Sequence, residues 1–146
     1  MKKFYLLFVS VLTLGLTSCN NDDDAGSDTG GTLEGRWEYF QEGTLVNGQE
    51  VLHNYEHAEG CTKDFGEFLA GGVAKDYTYS NNGTATCDEE ITTGTWSRSG
   101  NMITLTFAGF SVTAEIMTLN ATTLKVKYTE TVGTTTMTFI DVYRRI

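Results

Sequence analysis

The 146-residue chain contains no proline. No backbone position is therefore barred from a hydrogen-bond ladder by a missing N–H. Basic residues are scarce, ten Lys and Arg against nineteen Asp and Glu. A chain so acidic repels phosphate backbones, which argues against nucleic acid as a partner. Beyond the first twenty residues no apolar run is long enough to span a bilayer, which takes roughly 20 residues. No Gly-x-Ser-x-Gly elbow, phosphate loop or His-Glu-x-x-His helix occurs. Glu89-Glu90 are adjacent, so on a strand they point to opposite faces, and Asp22-Asp23-Asp24 lacks calcium-loop spacing. These absences lead us to expect neither an enzyme nor a cofactor.

The first residues are the most explicit part of the chain. Met1-Lys2-Lys3 gives a positive start, and Phe4–Leu16 is an apolar run interrupted only by Ser10, Thr13 and Gly15. This is the pattern of a secretory signal peptide over residues 1–18. Leu16-Thr17-Ser18-Cys19 resembles the lipobox of bacterial lipoproteins. That resemblance implies a diacylglycerol on the Cys19 thiol and a membrane contact through this anchor alone. Ordinary secretion after Ser18 is the alternative. Residues 19–31 hold no apolar residue larger than Ala apart from the anchor cysteine, so they read as an acidic, disordered tether. Acids directly after the anchor resemble surface-export signals of some Gram-negative lipoproteins. The expected location is the outer membrane, exposed at the cell surface, with the periplasmic face as the alternative. Removing residues 1–18 leaves eight basic and nineteen acidic residues, a formal charge of −11.

Residues 32–146 suit one domain. Period two dominates its second half. Ile103, Leu105 and Phe107 share a face, as do Phe110, Val112, Ala114 and Ile116. Leu124–Tyr128 and Thr136–Tyr143 alternate as well, with Ile140 and Val142 opposite Met137, Phe139 and Tyr143. Such segments are half-buried antiparallel strands. Ser99-Gly100-Asn101, Ala108-Gly109, Asn120-Ala121-Thr122 and Val132-Gly133-Thr134 mark reversals close together. In the first half, Gly35–Glu42, Gln49–Asn54, Val73–Ser80, Thr84–Cys87 and Glu90–Ser97 read as strands. Thr62–Ala70 fits a strand or a short helix stopped by Gly71-Gly72. The expected fold is an all-β, small antiparallel up-and-down barrel of about eight strands, with at most one short helix, since closure leaves no open edge.

With Cys19 acylated, Cys61 and Cys87 form an even pair in an oxidising compartment, and a disulfide between them is expected. It would close a loop of about 27 residues and contribute roughly 3–4 kcal/mol on the chain-entropy model. Two free thiols are the alternative. His53, His57 and Cys61 recur every fourth position and would line one face of a helix able to hold zinc. Gly60 interrupts that segment and Cys61 has Cys87 as a partner, so no metal site is expected.

Gly35-Arg36-Trp37 opening the first strand looks like the Gly-x-Trp signature of lipocalins. Residues 33–146 resemble the lipocalin-like domain of Gram-negative surface lipoproteins. The matching features are Leu33-x-Gly35-x-Trp37, the Cys61 and Cys87 pair, Gly94-Thr95-Trp96 before the Gly100-Asn101 turn, and the closing Tyr143-Arg144. The resemblance implies an arginine from the last strand, Arg144 or Arg145, stacked on Trp37. Arg144 is taken as the signature residue. Classical lipocalins are longer and carry an extra helix after the barrel, so this barrel's interior could equally be filled by side chains.

The expected function is a lipid-anchored envelope protein holding a small apolar molecule at the barrel mouth. Tyr39, Phe68, Tyr77, Phe107, Phe110, Tyr128 and Phe139 are the candidate contacts, although an inward side chain need not line a ligand, and for Phe107, Phe110 and Phe139, as for Trp37, Trp96 and Tyr143, core is the favoured reading. The rival is a filled barrel acting as a surface interaction module or an accessory subunit of an envelope complex. Its protein partner would meet the loops Asn54–Lys63 and Gly71–Tyr77. A cavity larger than a few waters favours the first reading, and a solid interior the second.

Overall fold

The computed structural model describes residues 29–83 and 86–146. The expected signal segment 1–18, Cys19 and the tether up to residue 28 lie outside the described residues. Nine strands follow in order: β1 Gly35–Val46, β2 Gln49–Asn54, β3 Phe65–Leu69, β4 Val73–Asn81, β5 Cys87–Ser99, β6 Met102–Phe107, β7 Phe110–Leu119, β8 Thr123–Val132 and β9 Thr135–Arg145. Among the described residues there is no helix. The ambiguous Thr62–Ala70 segment is strand β3, paired with both β1 and β4. The expected strands Thr84–Cys87 and Glu90–Ser97 resolve into the single strand β5, whose described part begins at Cys87.

Every neighbouring pair is antiparallel, and β9 returns to pair with β1 from Trp37↔Arg145 to Thr44↔Phe139. That pairing closes the ring. β2 and β3 lie along the same edge of β1, β2 against Gln41–Val46 and β3 against Gly35–Glu38. They act as one wall strand interrupted by the segment Tyr55–Asp64, so nine strands make an eight-membered closed barrel. Tight reversals are built where positive φ is tolerated, as at Asn47-Gly48 (φ 51° and 80°) and Ala108-Gly109 (φ 46° and 84°).

Alternation sorts the side chains. Trp37, Phe68, Ala74, Ile103, Ala114, Ile116, Leu119, Leu124 and Val126 point inward and form the core with Leu33. Trp37, Leu119 and Ile116 are essentially inaccessible. Each buried aliphatic side chain of this kind contributes about 1.5–3 kcal/mol. The core crowds one end of the barrel, and the chain leading into β1 helps close that end. Gly31 N–H donates to Leu119 O (2.8 Å), Arg98 reaches the Thr29 and Gly31 carbonyls, and Trp37 Nε1 donates to Leu33 O (2.7 Å). The chain is thus already held at Thr29, ahead of the expected domain boundary at residue 32.

The β1–β2 hairpin leans over the outside. Lys125 faces outward between inward Leu124 and Val126, yet it pairs with Glu50 of β2 across the intervening β1 and β9. Ile140, on the outer face of β9 opposite Gly43 of β1, is fully buried. Cys61 and Cys87 form the expected disulfide, with Cα atoms 5.8 Å apart. It ties the Tyr55–Asp64 segment to the start of β5.

Candidate functional site

The end of the barrel opposite Trp37 and Leu119 is not filled. A hollow of about 210 Å³ is walled by Phe68, Leu105, Phe107, Val112, Val126 and Tyr128, with Phe110, Glu130, Asp141 and Tyr143 also contributing. A second hollow of about 220 Å³ adjoins it and shares Phe68, Leu105, Phe107 and Tyr143 with the first. Each exceeds the roughly 150 Å³ apolar cavity known to take up benzene, and each is several times the ~30 Å³ share of one liquid water.

The geometry follows from the strand phase. Gly94 of β5 faces inward opposite Phe107. A Cβ there would lie 2.5 Å from the Phe107 ring and would also run into Thr106 O. Glycine therefore lets the Phe107 ring lie flat against the wall. The Ala108-Gly109 turn then places Phe110 on the rim, 62% exposed while still lining the hollow. Tyr128 and Phe139 face one another across β8 and β9 with ring centroids 5.5 Å apart. Phe68 meets Trp96 edge-on at 5.8 Å.

Polar groups enter this apolar wall at few places. Tyr39 O–H donates to Asp76 Oδ1 at 2.8 Å, and Tyr143 O–H donates to Asp141 Oδ2 at 3.3 Å. The Tyr39 and Tyr143 rings are themselves in contact, centroids 5.1 Å apart. Burial lifts the Asp76 carboxyl above the usual carboxylate range; the Tyr39 hydrogen bond opposes this, and the negative Asp64 and Glu90 reinforce it. Burial likewise lifts Asp141, against hydrogen bonds from Tyr143 and Tyr128 and with help from Glu42 and Glu130. Tyr39, Tyr128 and Tyr143 are all pushed up, chiefly by burial, and so remain neutral hydroxyl donors.

The segment between β2 and β3 forms a second polar cluster beside this site. Asp64 accepts from Tyr55 O–H (3.0 Å) and from Tyr79 N–H (2.7 Å). Burial and the bond to Asp64 push the Tyr55 phenol up to about 12. His57 Nδ1 accepts from the Asp64 N–H, which leaves Nε2–H to donate to Tyr39 O at 2.9 Å. His57 is thus a strut under the segment. His53 stands apart on β2 against Glu42, 3.3 Å away, and Cys61 is spent in the disulfide. The three residues weighed for zinc do not converge, and no three His, Cys, Asp or Glu residues gather suitably among the described residues.

Of the candidate contacts, Phe68, Phe107, Phe110 and Tyr128 line the first hollow and Tyr39 lines the second. Phe139 sits beside Tyr128 in a shallow recess with Glu42, Thr44, His53 and Asp141. Tyr77 is not among them. It alternates out of phase with inward Asp76, stacks on Phe65 at 4.3 Å and donates to Glu67 on the outer face, where Arg36 covers Phe65. The arginine over Trp37 is Arg145, 4.1 Å from the ring, and not Arg144, which covers Phe40 at 3.2 Å. The cause is the register: Arg145 pairs directly with Trp37, and Arg144 points to the other face. Asp76, Asp141 and Glu130 were not expected at the site. The signal was available for Asp141, which shares the alternating face of Phe139 and Tyr143.

A family model described as a lipocalin-like domain matches residues 33–126. No curated protein matches the sequence. Among solved structures, the chain is similar to a lipocalin-like protein from Bacteroides uniformis (TM-score 0.55, 15% identity, covering 78% of this chain and 98% of that one). It is also similar to an uncharacterized protein from Bacteroides eggerthii (TM-score 0.52, 12% identity, covering 79% of this chain and 100% of that one). At such identities the likeness is one of fold.

Proposed function

The chain belongs to the lipocalin-like domain family, and from that premise we propose that it is a lipid-anchored envelope protein whose barrel holds a small hydrophobic molecule. The observation that carries the ligand is the apolar hollow of about 210 Å³ at the unplugged end. A concave wall of Phe68, Leu105, Phe107, Val112 and Val126 takes apolar surface of a small ligand out of water, and this is the main source of affinity in such sites. A filled barrel acting only through its surface would leave no such space. No catalytic role is proposed: the carboxylates at the site face tyrosine hydroxyls and apolar rings.

The anchor is Cys19, supported by the charged start, the apolar run and the Leu16-Thr17-Ser18-Cys19 sequence. Display on the outer face of the outer membrane follows from the acids at 22–24. The barrel would then stand clear of the membrane on its tether, with the hollow open to solvent at the Phe110 rim.

Native mass spectrometry of the protein purified from its own host tests the ligand. A co-purifying mass of lipid or metabolite size supports the reading. Protein recovered empty that also fails to take up a neutral naphthalene fluorophore overturns it. Cys19→Ala should move the protein from the membrane to the soluble fraction, and unchanged membrane retention would remove the anchor from the proposal.

A further inference from the structure

We infer that the hollow prefers a small amphipathic cation, an apolar body carrying a protonated amine, over neutral or acidic molecules of the same size. This rests on the ligand-binding reading above and specifies the ligand's charge. The first hollow is lined by two charged side chains, Glu130 and Asp141, and both are acids. The adjoining hollow adds Asp76 together with Glu67 and Lys75. Glu67 is already held by Arg36 at 2.9 Å, and Lys75, next to Asp76 along β4, takes the opposite face of the strand beside Glu67.

Among the described residues no lysine or arginine forms an ion pair with the interior acids, and His53, which shares a recess with Asp141, pairs with Glu42. The ion pairs of lysine and arginine among the described residues join Arg36 to Glu67, Lys63 to Glu38, Lys125 to Glu50 and Lys127 to Glu115. None reaches Asp76, Asp141 or Glu130. What Asp76 and Asp141 do have is tyrosine hydroxyls, each of which donates one hydrogen bond. A half-buried carboxylate so equipped keeps acceptor capacity to spare and bears an uncompensated desolvation cost. A ligand ammonium supplies both the missing charge and the missing donors.

The ring faces fit the same guest. The rings of Tyr128 and Tyr143 line the first hollow beside Asp141, and an aromatic ring attracts a cation to its face. The apolar body of the guest would rest against Phe68, Leu105, Phe107 and Val126. A carboxylate-headed guest meets the opposite situation: its head would stand among Asp141 and Glu130, in a chain of formal charge −9.

The test uses three guests with one tail and three heads: octylamine, octanol and octanoate, titrated calorimetrically into the full chain at neutral pH. Octylammonium is expected to bind one-to-one and about tenfold or more tightly than octanol, with octanoate weakest. Asp141→Asn and, separately, Glu130→Gln at the rim should each pull the amine-to-alcohol ratio toward one. Octanol or octanoate binding as tightly as octylamine overturns the charge preference and leaves the apolar site standing. Failure of all three guests to bind overturns the site itself and the preference with it. An amine preference that survives both substitutions and Asp76→Asn as well also overturns the inference, because it then resides elsewhere on the acidic surface.

Discussion

Arg145 lies over the Trp37 ring at 4.1 Å and reaches past it to the carbonyls of Glu34 and Thr32. One side chain thereby joins the last strand, the first strand and the segment leading into it. The same arrangement explains Gly35: its φ is 125°, and a Cβ there would lie 2.6 Å from the Arg145 guanidinium. The Gly-x-Trp pair is a packing requirement at the closed end of the barrel. Trp37→Ala should cost about 3–5 kcal/mol, as for large buried aromatics. Arg145→Ala should cost about 1–3 kcal/mol through the lost cation–π contact and hydrogen bonds. Arg144→Ala, on the outer face, should cost less than Arg145→Ala. Urea denaturation of the three variants measures the order, and Arg144→Ala proving the more damaging would refute this division of roles.

The Cys61–Cys87 bond spans 26 positions of sequence and anchors the segment that interrupts the wall between β2 and β3. Reduction should lower stability by roughly 3–4 kcal/mol on the chain-entropy model. It should do so without dissolving the barrel, because the β1–β9 closure does not involve either cysteine. The check is a pair of denaturation curves with and without reductant, alongside circular dichroism under native conditions. Equal midpoints would show that His57 and Asp64 alone fix the segment.

The barrel was legible because its second half alternates with little interruption, from Ile103 through Tyr143, and because Gly and Asn mark the reversals. The first half was harder for a physical reason. β2 and β3 share one edge of β1, so each is short, and Phe65, Phe68 and Leu69 fit helical spacing as well as a strand. Pairing on both sides of β3 decided the matter, and sequence pattern does not contain that information. Tyr77 was grouped with the interior aromatics by residue type, whereas its register opposite Phe65 puts it outside. Arg144 and Arg145 differ by one position, and a one-residue change of phase exchanges the faces of a sheet. The interior acids were missed because Asp in a strand reads as solvated; their burial emerges only once the ring closes.

Gly94 tests the cavity from within its wall. The inward Cβ of Gly94→Ala would meet Thr106 O and the Phe107 ring. Thr106 O is backbone, so the β5–β6 ladder must shift there, and the Phe107 ring must move as well. The strain should cost about 1–3 kcal/mol, typical of overpacking. Displacement of Phe107 into the hollow should also weaken uptake of a neutral naphthalene fluorophore. Gly100→Ala is a useful contrast, since it strains a turn at φ 62° with open space around it and leaves the hollow untouched. Equal fluorophore binding by the Gly94→Ala and wild-type proteins would show that the probe does not sit against Phe107.

Acid should stabilise this protein over the range in which its interior carboxyls take up protons. Asp76 and Asp141 both start from an ordinary value of 3.8 and are raised in the folded chain, chiefly by burial. Between 3.8 and the raised values the folded chain binds more protons than the unfolded one, so stability rises as pH falls through that window. Near neutrality both states are ionised and the folded state bears the full cost. The groups facing these two carboxyls are Asp64, Glu90 and Tyr39 around Asp76, and Glu42, Glu130, Tyr128 and Tyr143 around Asp141. None of these is a base, and His53, which shares a recess with Asp141, is paired there with Glu42 at 3.3 Å. Glu67, lowered by Arg36 on the outer face, works in the opposite direction, but it is exposed and contributes little. The double variant Asp76→Asn, Asp141→Asn keeps acceptors for the tyrosine hydroxyls and removes both charges. Its urea midpoint should exceed that of the wild type at pH 7, and the gap should narrow as the pH is lowered toward 3.8. A double variant less stable than wild type at pH 7, with the same dependence on acid, would mean that the two carboxylates are already compensated inside the barrel.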